Sequence, residues 1–139
     1  MNTKPPRELE SKVQRSIKVR LARLGIVLFR RNVGGLKDAY GHYVPFASPG
    51  QSDLYGSLPR SHHCRHVELE TKRLGERPTP KQLEWLKAST ARGWVAFWAD
   101  NANTAEFVAE SILAGGEIVW LGVGPGYHPD GADFDVRMP

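Results

Sequence analysis

The spacing of hydrophobic residues near the start of the chain predicts an amphipathic helix over residues 7–24. Apolar side chains recur there every three to four residues, which aligns them along one face of a helix. Gly25 follows the last of them and is typical of a helix C-terminal cap, because glycine readily adopts a positive φ. The predicted apolar stripe consists of Leu9, Val13, Ile17, Leu21 and Leu24.

Three further segments have the hydrophobic pattern of β-strands. Residues 26–29 are a continuous apolar run, residues 54–58 follow a Gly-rich bend, and residues 66–72 alternate between apolar and polar side chains. Because successive strand side chains point to opposite faces, the last segment predicts one apolar and one charged face. The charged face would carry Glu68, Glu70 and Lys72. The turn-forming residues within 36–49 predict a hairpin or a loose loop that faces the substrate.

A capping box marks the start of a second helix. Thr79 is a good N-cap, Pro80 suits the first helical position, and Gln82 completes the box three residues after the cap. Beyond this helix the pattern predicts a buried strand at residues 94–98, a third helix at residues 103–113 and a last strand at residues 117–121.

The length of 139 residues fits a single domain with a substantial core. We expect a flexible arm at residues 1–6, the domain at residues 7–121, and an irregular, acidic tail rich in Gly and Pro at residues 122–139. No run of 18 apolar residues occurs, so no membrane partner is expected. The first residues lack an apolar leader and Cys64 is the only cysteine, so a cytoplasmic location is the expectation.

Charge is distributed unevenly along the chain. Residues 1–99 carry 18 Lys and Arg against 8 Asp and Glu, a net charge of +10, whereas residues 100–139 carry 1 against 7, a net charge of −6. A basic region attracts polyanions such as nucleic acid, although a solvated basic face explains the charge alone equally well. The residues expected to contact phosphates are Arg30, Arg31, Asn32, Lys37 and Arg73.

Candidate chemistry centres on Asp53, Glu70 and Lys72. Asp53 lies in a Gly-rich bend before a predicted strand, from which it could meet the charged face of residues 66–72. Carboxylates are hard oxygen ligands for Mg²⁺ or Mn²⁺, and a lysine stabilises negative charge that develops on a phosphate. Such a set suits phosphodiester hydrolysis.

Three nearby residues have more than one explanation. Glu10 could project into the site, or it could only stabilise the helix N-terminus through the helix dipole. Gln82 could act in the site, or it could serve only as a capping residue. Glu68 shares the strand face of Glu70 and could compete with it as a metal ligand.

The ordered set of these residues resembles the PD-(D/E)XK nuclease superfamily and, more narrowly, its VRR-NUC group. The resemblance covers about residues 7–113, and its motifs are Glu10, Arg30 to Gly34, Gly50 to Leu54, Glu70 to Lys72, and Gln82. It implies a restriction-endonuclease-like α/β fold, with a mixed central sheet flanked by helices around an αβββαβ core. Ser52 stands where the superfamily pattern has Pro, and the acidic tail has no counterpart in that pattern.

The resemblance also implies a cofactor, Mg²⁺ or Mn²⁺, and a role for each site residue. Lys72 would act near the attacking water, and Gln82 could position Lys72 or the phosphate. The family spacing favours Glu70 over Glu68 as the ligand. The implied catalytic residues are Asp53, Glu70, Lys72 and Gln82, and the implied metal ligands are Asp53, Glu70, Thr71 through its carbonyl, and Glu10.

We therefore expect a metal-dependent nuclease that hydrolyses phosphodiester bonds of DNA. The sequence does not specify the substrate structure, and flaps and junctions are among the alternatives. The group implies a phage or bacterial origin. Cleavage of a junction would need a homodimer, because two symmetric cuts need two sites. The main alternative is a non-enzymatic nucleic-acid-binding module on the same fold, and another is a structural phage protein that uses only its basic surface.

Overall fold

A computed structural model describes residues 9–31, 35–45, 50–121 and 133–139. The helices are α1 (Glu10–Ala22), α2 (Pro80–Ala91) and α3 (Ala102–Leu113), with a short 3₁₀ helix at Arg60–His62. The strands are β1 (Val27–Arg30), β2 (Gly35–Lys37), β3 (Tyr43–Pro45), β4 (Leu54–Ser57), β5 (His66–Thr71), β6 (Val95–Ala99), β7 (Glu117–Trp120) and β8 (Phe134–Arg137). None of the helices in these ranges has the length and apolar content that crossing a membrane requires.

A mixed four-stranded sheet forms the centre of the fold, in the order β1-β4-β5-β6. The pairs β1–β4 and β4–β5 are antiparallel, whereas β5 and β6 run parallel and are connected through α2. Leu54 pairs with Arg30 on one side and with Leu69 on the other. The α/β class with a mixed central sheet and flanking helices, predicted from the sequence, is therefore confirmed.

One face of the sheet carries the main hydrophobic core. Val13, Ile17 and Leu21 of α1 are buried there together with apolar residues of β5, β6 and α3. Burial of each such side chain contributes about 1.5–3 kcal/mol. The opposite face of β5 carries Glu68 and Glu70, and α2 covers it, so the charged strand face is buried rather than wet.

Local signals explain where α1 and α2 begin and end. Leu9 is 58% exposed and only precedes α1, so the buried stripe starts one turn later than the sequence pattern predicts. Gly25 has a φ of 82°, and the next N–H, of Ile26, donates to the Leu21 carbonyl at 3.0 Å, which closes the helix end. The predicted capping box of α2 is present, with both of its hydrogen bonds between Thr79 and Gln82.

Two hairpins lie outside the central sheet. The first, β2–β3, confirms the hairpin among the alternatives for residues 36–49 as far as residue 45, and residues 46–49 lie outside the described residues. The second corrects the expected irregular tail: β8 pairs antiparallel with β7, and Phe134 packs against Trp120 with ring centroids 5.2 Å apart. Alternation of apolar and charged residues over 134–137 is the reason, since one side of β8 covers the core. The predicted arm and residues 122–132 lie outside the described residues.

Candidate metal centre

The strand register brings the proposed ligands together at one end of the sheet. Asp53 immediately precedes β4, whose first residue pairs with Leu69, so Asp53 comes next to Glu70 of β5. Glu10 is the first residue of α1 and reaches the same place. One carboxylate oxygen from each of Glu10, Asp53 and Glu70 lies within 4.8 Å of the other two. Of the two explanations for Glu10, the structure therefore agrees with projection into the site.

Glu70 lies at the centre of this arrangement and is 1% exposed. Its Oε1 accepts a hydrogen bond from Gln82 Nε2 at 2.9 Å, and its Oε2 accepts one from the Asp53 backbone N–H at 3.2 Å. Lys72 Nζ lies 3.7 Å from Glu70 Oε1. Burial first, and then the negative charge of Asp53, raise the pKa of Glu70 to about 9, although Lys72 acts in the opposite direction.

Asp53 and Glu10 complete the acidic cluster. Asp53 Oδ2 accepts hydrogen bonds from the Thr71 hydroxyl at 3.0 Å and from the Thr71 N–H at 3.4 Å. Burial, followed by the contact with Asp53, raises the pKa of Glu10 above its ordinary value. Three carboxyl groups held this close repel one another when ionised, and a hard divalent cation removes that repulsion. The donor set therefore fits Mg²⁺ or Mn²⁺.

Gln82 serves both of the roles that the sequence left open. Its Oε1 accepts from the Thr79 N–H at 2.8 Å, while its Nε2 donates to Glu70. The two ends of one amide therefore connect the N-terminus of α2 to the acidic cluster. The Thr79 contact fixes the orientation of the Gln82 amide, because only its oxygen can accept from a backbone N–H.

Glu68 is held away from the acidic cluster by its own partners. It is 0% exposed, and although burial acts to raise its pKa, the bonds from Arg31, Trp85 and His66 outweigh burial and lower that pKa. The contacts are to Arg31 Nη1 (2.7 Å), Arg31 Nη2 (3.1 Å), Ser52 Oγ (2.9 Å), Trp85 Nε1 (2.8 Å) and His66 Nε2 (2.7 Å). Its oxygens are thus occupied, in agreement with the choice of Glu70.

The residues expected to contact phosphates are not gathered in one place. Arg30 is exposed at the end of β1, Lys37 is exposed in β2, and Arg73 is half-buried just after β5. Arg31 instead directs its guanidinium to Glu68 and is only 17% exposed. Asn32 lies outside the described residues. Phosphate contacts by these residues stay a prediction.

Sequence reasoning missed the group around Glu68, namely Ser52, His66 and Trp85. Trp85 lies three residues after Gln82 and therefore on the same side of α2. That spacing is a usable signal, because it places an indole N–H beside the charged face of β5. No comparable signal points to Ser52, which meets Glu68 only through the pairing of β4 with β5.

Comparison with known proteins agrees with this architecture. No protein-family model and no curated protein matches the chain. A solved structure described as a VRR_NUC domain superposes with a TM-score of 0.51 and 24% sequence identity, over 73% of this chain and 94% of that domain. The fold described above thus has a counterpart of known structure. The resemblance drawn from the motifs is confirmed at the level of architecture, and the chain has the fold of a VRR_NUC domain.

Proposed function

We propose that the protein is a metal-dependent nuclease that hydrolyses phosphodiester bonds of DNA. The observation that carries this proposal is the convergence of three carboxylates, with Lys72 and Gln82 beside the buried one. A structural ion pair needs one acid and one base, whereas this cluster has three acids within 4.8 Å and one lysine in contact. Such an excess of acid is costly unless a cation belongs there.

Glu10, Asp53 and Glu70 would hold Mg²⁺ or Mn²⁺, with the Thr71 carbonyl as the further ligand implied by the resemblance. When bound, the cation supplies Lewis acidity toward a phosphate oxygen and lowers the pKa of water. Thr71 holds Asp53 through two hydrogen bonds and Gln82 holds Glu70 through one, so both carboxylates are orientated before any ligand arrives.

Lys72 would stabilise negative charge on the reacting phosphate or orient the attacking water. Its side chain is 12% exposed and its Nζ lies 3.7 Å from Glu70 Oε1, so it has little competition from bulk water. Preorganised charges in such a setting lower the barrier because they need no rearrangement during the reaction.

DNA as the substrate rests on charge and on the fold. The first 99 residues carry a net charge of +10, which attracts a polyanion to a site that is itself acidic. Flaps, junctions and linear ends are all open as substrates, endonuclease and exonuclease action alike. A homodimer is required only if two symmetric cuts are made.

A paired assay of cleavage and binding tests the proposal. Labelled linear, flapped and four-way-junction DNA is incubated with wild type, Lys72→Ala and Asp53→Asn in Mg²⁺ or Mn²⁺, and binding is measured in Ca²⁺. Each variant should cleave at least about 100-fold more slowly, the loss expected for one preorganised electrostatic group. Both should retain most of the binding, because each substitution changes the net charge of +10 over residues 1–99 by only one unit.

Two outcomes would contradict the proposal. If Lys72→Ala cleaves as fast as wild type, Lys72 has no catalytic role. If wild type binds DNA tightly but cleaves none of the substrates with either metal, the protein is a nucleic-acid-binding module on a nuclease-type fold.

A further inference from the structure

We propose that the adjacent residues Arg30 and Arg31 have two separate functions: Arg31, together with Glu68, positions the metal ligand Asp53, whereas Arg30 belongs to a surface that binds the phosphate backbone of DNA. The inference rests on the proposed function for the identity of the metal and of the polyanion. The sheet register shows that the two arginine side chains are separated, which the sequence alone does not show.

The register sends the two side chains to opposite faces of the sheet. Arg30 pairs with Leu54, and Leu54 pairs with Leu69, so these three side chains share the face covered by α1. The preceding residue of β1, Phe29, pairs with Tyr55 and lies on the other face, and Arg31 has the same parity as Phe29. In agreement, the Arg31 guanidinium stacks on the Tyr55 ring, 4.8 Å from its centroid.

Arg31 holds the segment that carries Asp53 at several points. Its backbone N–H donates to the Asp53 carbonyl at 2.7 Å, and its Nη1 donates to the Ser52 carbonyl at 3.1 Å. The same guanidinium forms a two-pronged contact with Glu68, at 2.7 and 3.1 Å. Because Glu68 is fully buried in a strand, it provides a fixed anchor for the arginine. Arg31 therefore connects the centre of β5 to the carbonyl groups of Ser52 and Asp53.

This arrangement makes Arg31 and Glu68 positioning residues rather than ligands. Neither contacts the acidic cluster through its side chain, but both help to fix the position of the Asp53 backbone. Groups that orient metal ligands typically change metal affinity by 10- to 100-fold when they are removed. The bidentate geometry needs a guanidinium, since a lysine ammonium cannot contact both oxygens of Glu68 in the same plane.

Arg30 lies instead in a shallow basic groove between α1 and the end of β1. The groove has a volume of about 360 Å³, and its described lining contains three cations and no acid: Ser11, Gln14, Arg15, Lys18, Val19 and Arg30. The arginines that form ion pairs with acids in the described ranges are others, namely Arg20, Arg31, Arg65 and Arg77.

The position of the groove suits a nucleic-acid backbone that leads to the metal site. Ser11 at one end follows the metal ligand Glu10, and Arg30 pairs with the neighbour of Asp53. Cations spaced along a helix face at Arg15 and Lys18 can contact successive phosphates, and each neutralised phosphate of duplex DNA adds about 0.9 to the salt slope of binding. A phosphate backbone is therefore the occupant that fits the charge.

The experiment compares single alanine variants of Arg30, Arg31 and Arg60. Arg60 lies in the 3₁₀ helix at the opposite end of β4 and serves as a matched control for the loss of one positive charge. Mn²⁺ affinity is measured by isothermal titration calorimetry. Duplex DNA affinity is measured by fluorescence anisotropy over a salt series in EDTA, where the metal site cannot contribute.

Arg31→Ala should weaken Mn²⁺ binding by about 10- to 100-fold and leave the salt slope unchanged. Arg31→Lys should not restore Mn²⁺ affinity, because it keeps the charge but loses the two-pronged contact. Arg30→Ala should reduce the slope by up to about 0.9 and leave Mn²⁺ affinity unchanged. Arg60→Ala should change neither quantity.

The inference is overturned if Arg31→Ala binds Mn²⁺ with wild-type affinity or lowers the salt slope, or if Arg30→Ala matches Arg60→Ala in both measurements. Should Arg31→Ala fail to fold in thermal melts, Glu68→Gln replaces it, since it keeps the shape of the side chain and must also weaken Mn²⁺ binding. If wild type binds no Mn²⁺, the proposed metal site itself is refuted. If wild type and the Arg31 variants bind Mn²⁺ equally well, only the positioning role of Arg31 is refuted.

Discussion

Replacing Gln82 by alanine should weaken metal binding much more than its effect on helix stability would suggest. Gln82 accepts a hydrogen bond from the N-cap Thr79 and donates one to Glu70. Thr79→Ala is the matched control, because the Thr79 hydroxyl contacts the Gln82 backbone N–H and belongs to the same capping box. Both variants disturb the start of α2, but only Gln82→Ala removes a direct contact to the acidic cluster.

The two effects have different magnitudes. Loss of an N-terminal capping interaction costs about 1 kcal/mol, which for a chain of this length lowers the melting temperature by about 3 to 5 °C. A hydrogen bond to a charged group is worth about 1.5 to 3 kcal/mol. If that bond keeps Glu70 orientated toward the cation, its loss should weaken Mn²⁺ binding by about 10- to 100-fold.

Calorimetric titration with Mn²⁺ and thermal melts in EDTA measure the two quantities on the same preparations. We expect the melting temperatures of the two variants to fall by similar amounts. We expect weakened Mn²⁺ binding only for Gln82→Ala. Equal Mn²⁺ affinities for Gln82→Ala and Thr79→Ala would refute the reasoning and leave Gln82 as a capping residue alone.

Two further predictions concern stability. In EDTA the free energy of unfolding should fall as the pH rises from about 5 to 9. Burial and then Asp53 raise the pKa of Glu70 from 4.5 to about 9. The folded protein therefore keeps a proton that the unfolded chain releases over this pH range. Urea denaturation of wild type and Glu70→Gln checks this: the variant should lose that part of the pH dependence, and identical profiles would contradict the assigned pKa. Gly56→Ala should destabilise the fold by about 2 kcal/mol or more in the same assay, because the added Cβ would lie 1.9 Å from the Val27 carbonyl oxygen. A loss below about 0.5 kcal/mol would contradict this prediction and show that β1 moves aside freely.

Sequence patterns predicted the element types well because most of them depend on local periodicity. The stripe of Val13, Ile17 and Leu21 and the capping box at Thr79 are readable from neighbouring residues. Strand β8 was missed because its partner β7 precedes it by a long segment rich in Gly and Pro. A pairing between distant segments has no local signature when one of them is only four residues long.

The candidate site could be predicted less completely, for the same reason. Alternation places Glu68 and Glu70 on one face of β5, but it does not say which of them meets Asp53. That choice depends on the register between β4 and β5, which places Asp53 next to Glu70, while Arg31 reaches across β4 to occupy Glu68. Likewise, the sequence presents Arg30 and Arg31 as one basic pair. Which face of the sheet each side chain points to follows only from the pairing of β1 with β4, because alternation along one strand does not identify the covered face.

The distribution of the site along the chain has a consequence for the order of events after synthesis. Its groups come from the first residue of α1, the bend before β4, the end of β5 and the first turn of α2. No fragment that ends before Gln82 contains all of them, and contacts between such distant segments close late in folding. A nascent or partly unfolded chain therefore cannot hold the cation in this geometry. On the proposed function the ion binds the folded state alone, so Mg²⁺ would stabilise completed molecules, and cleavage would begin only with them.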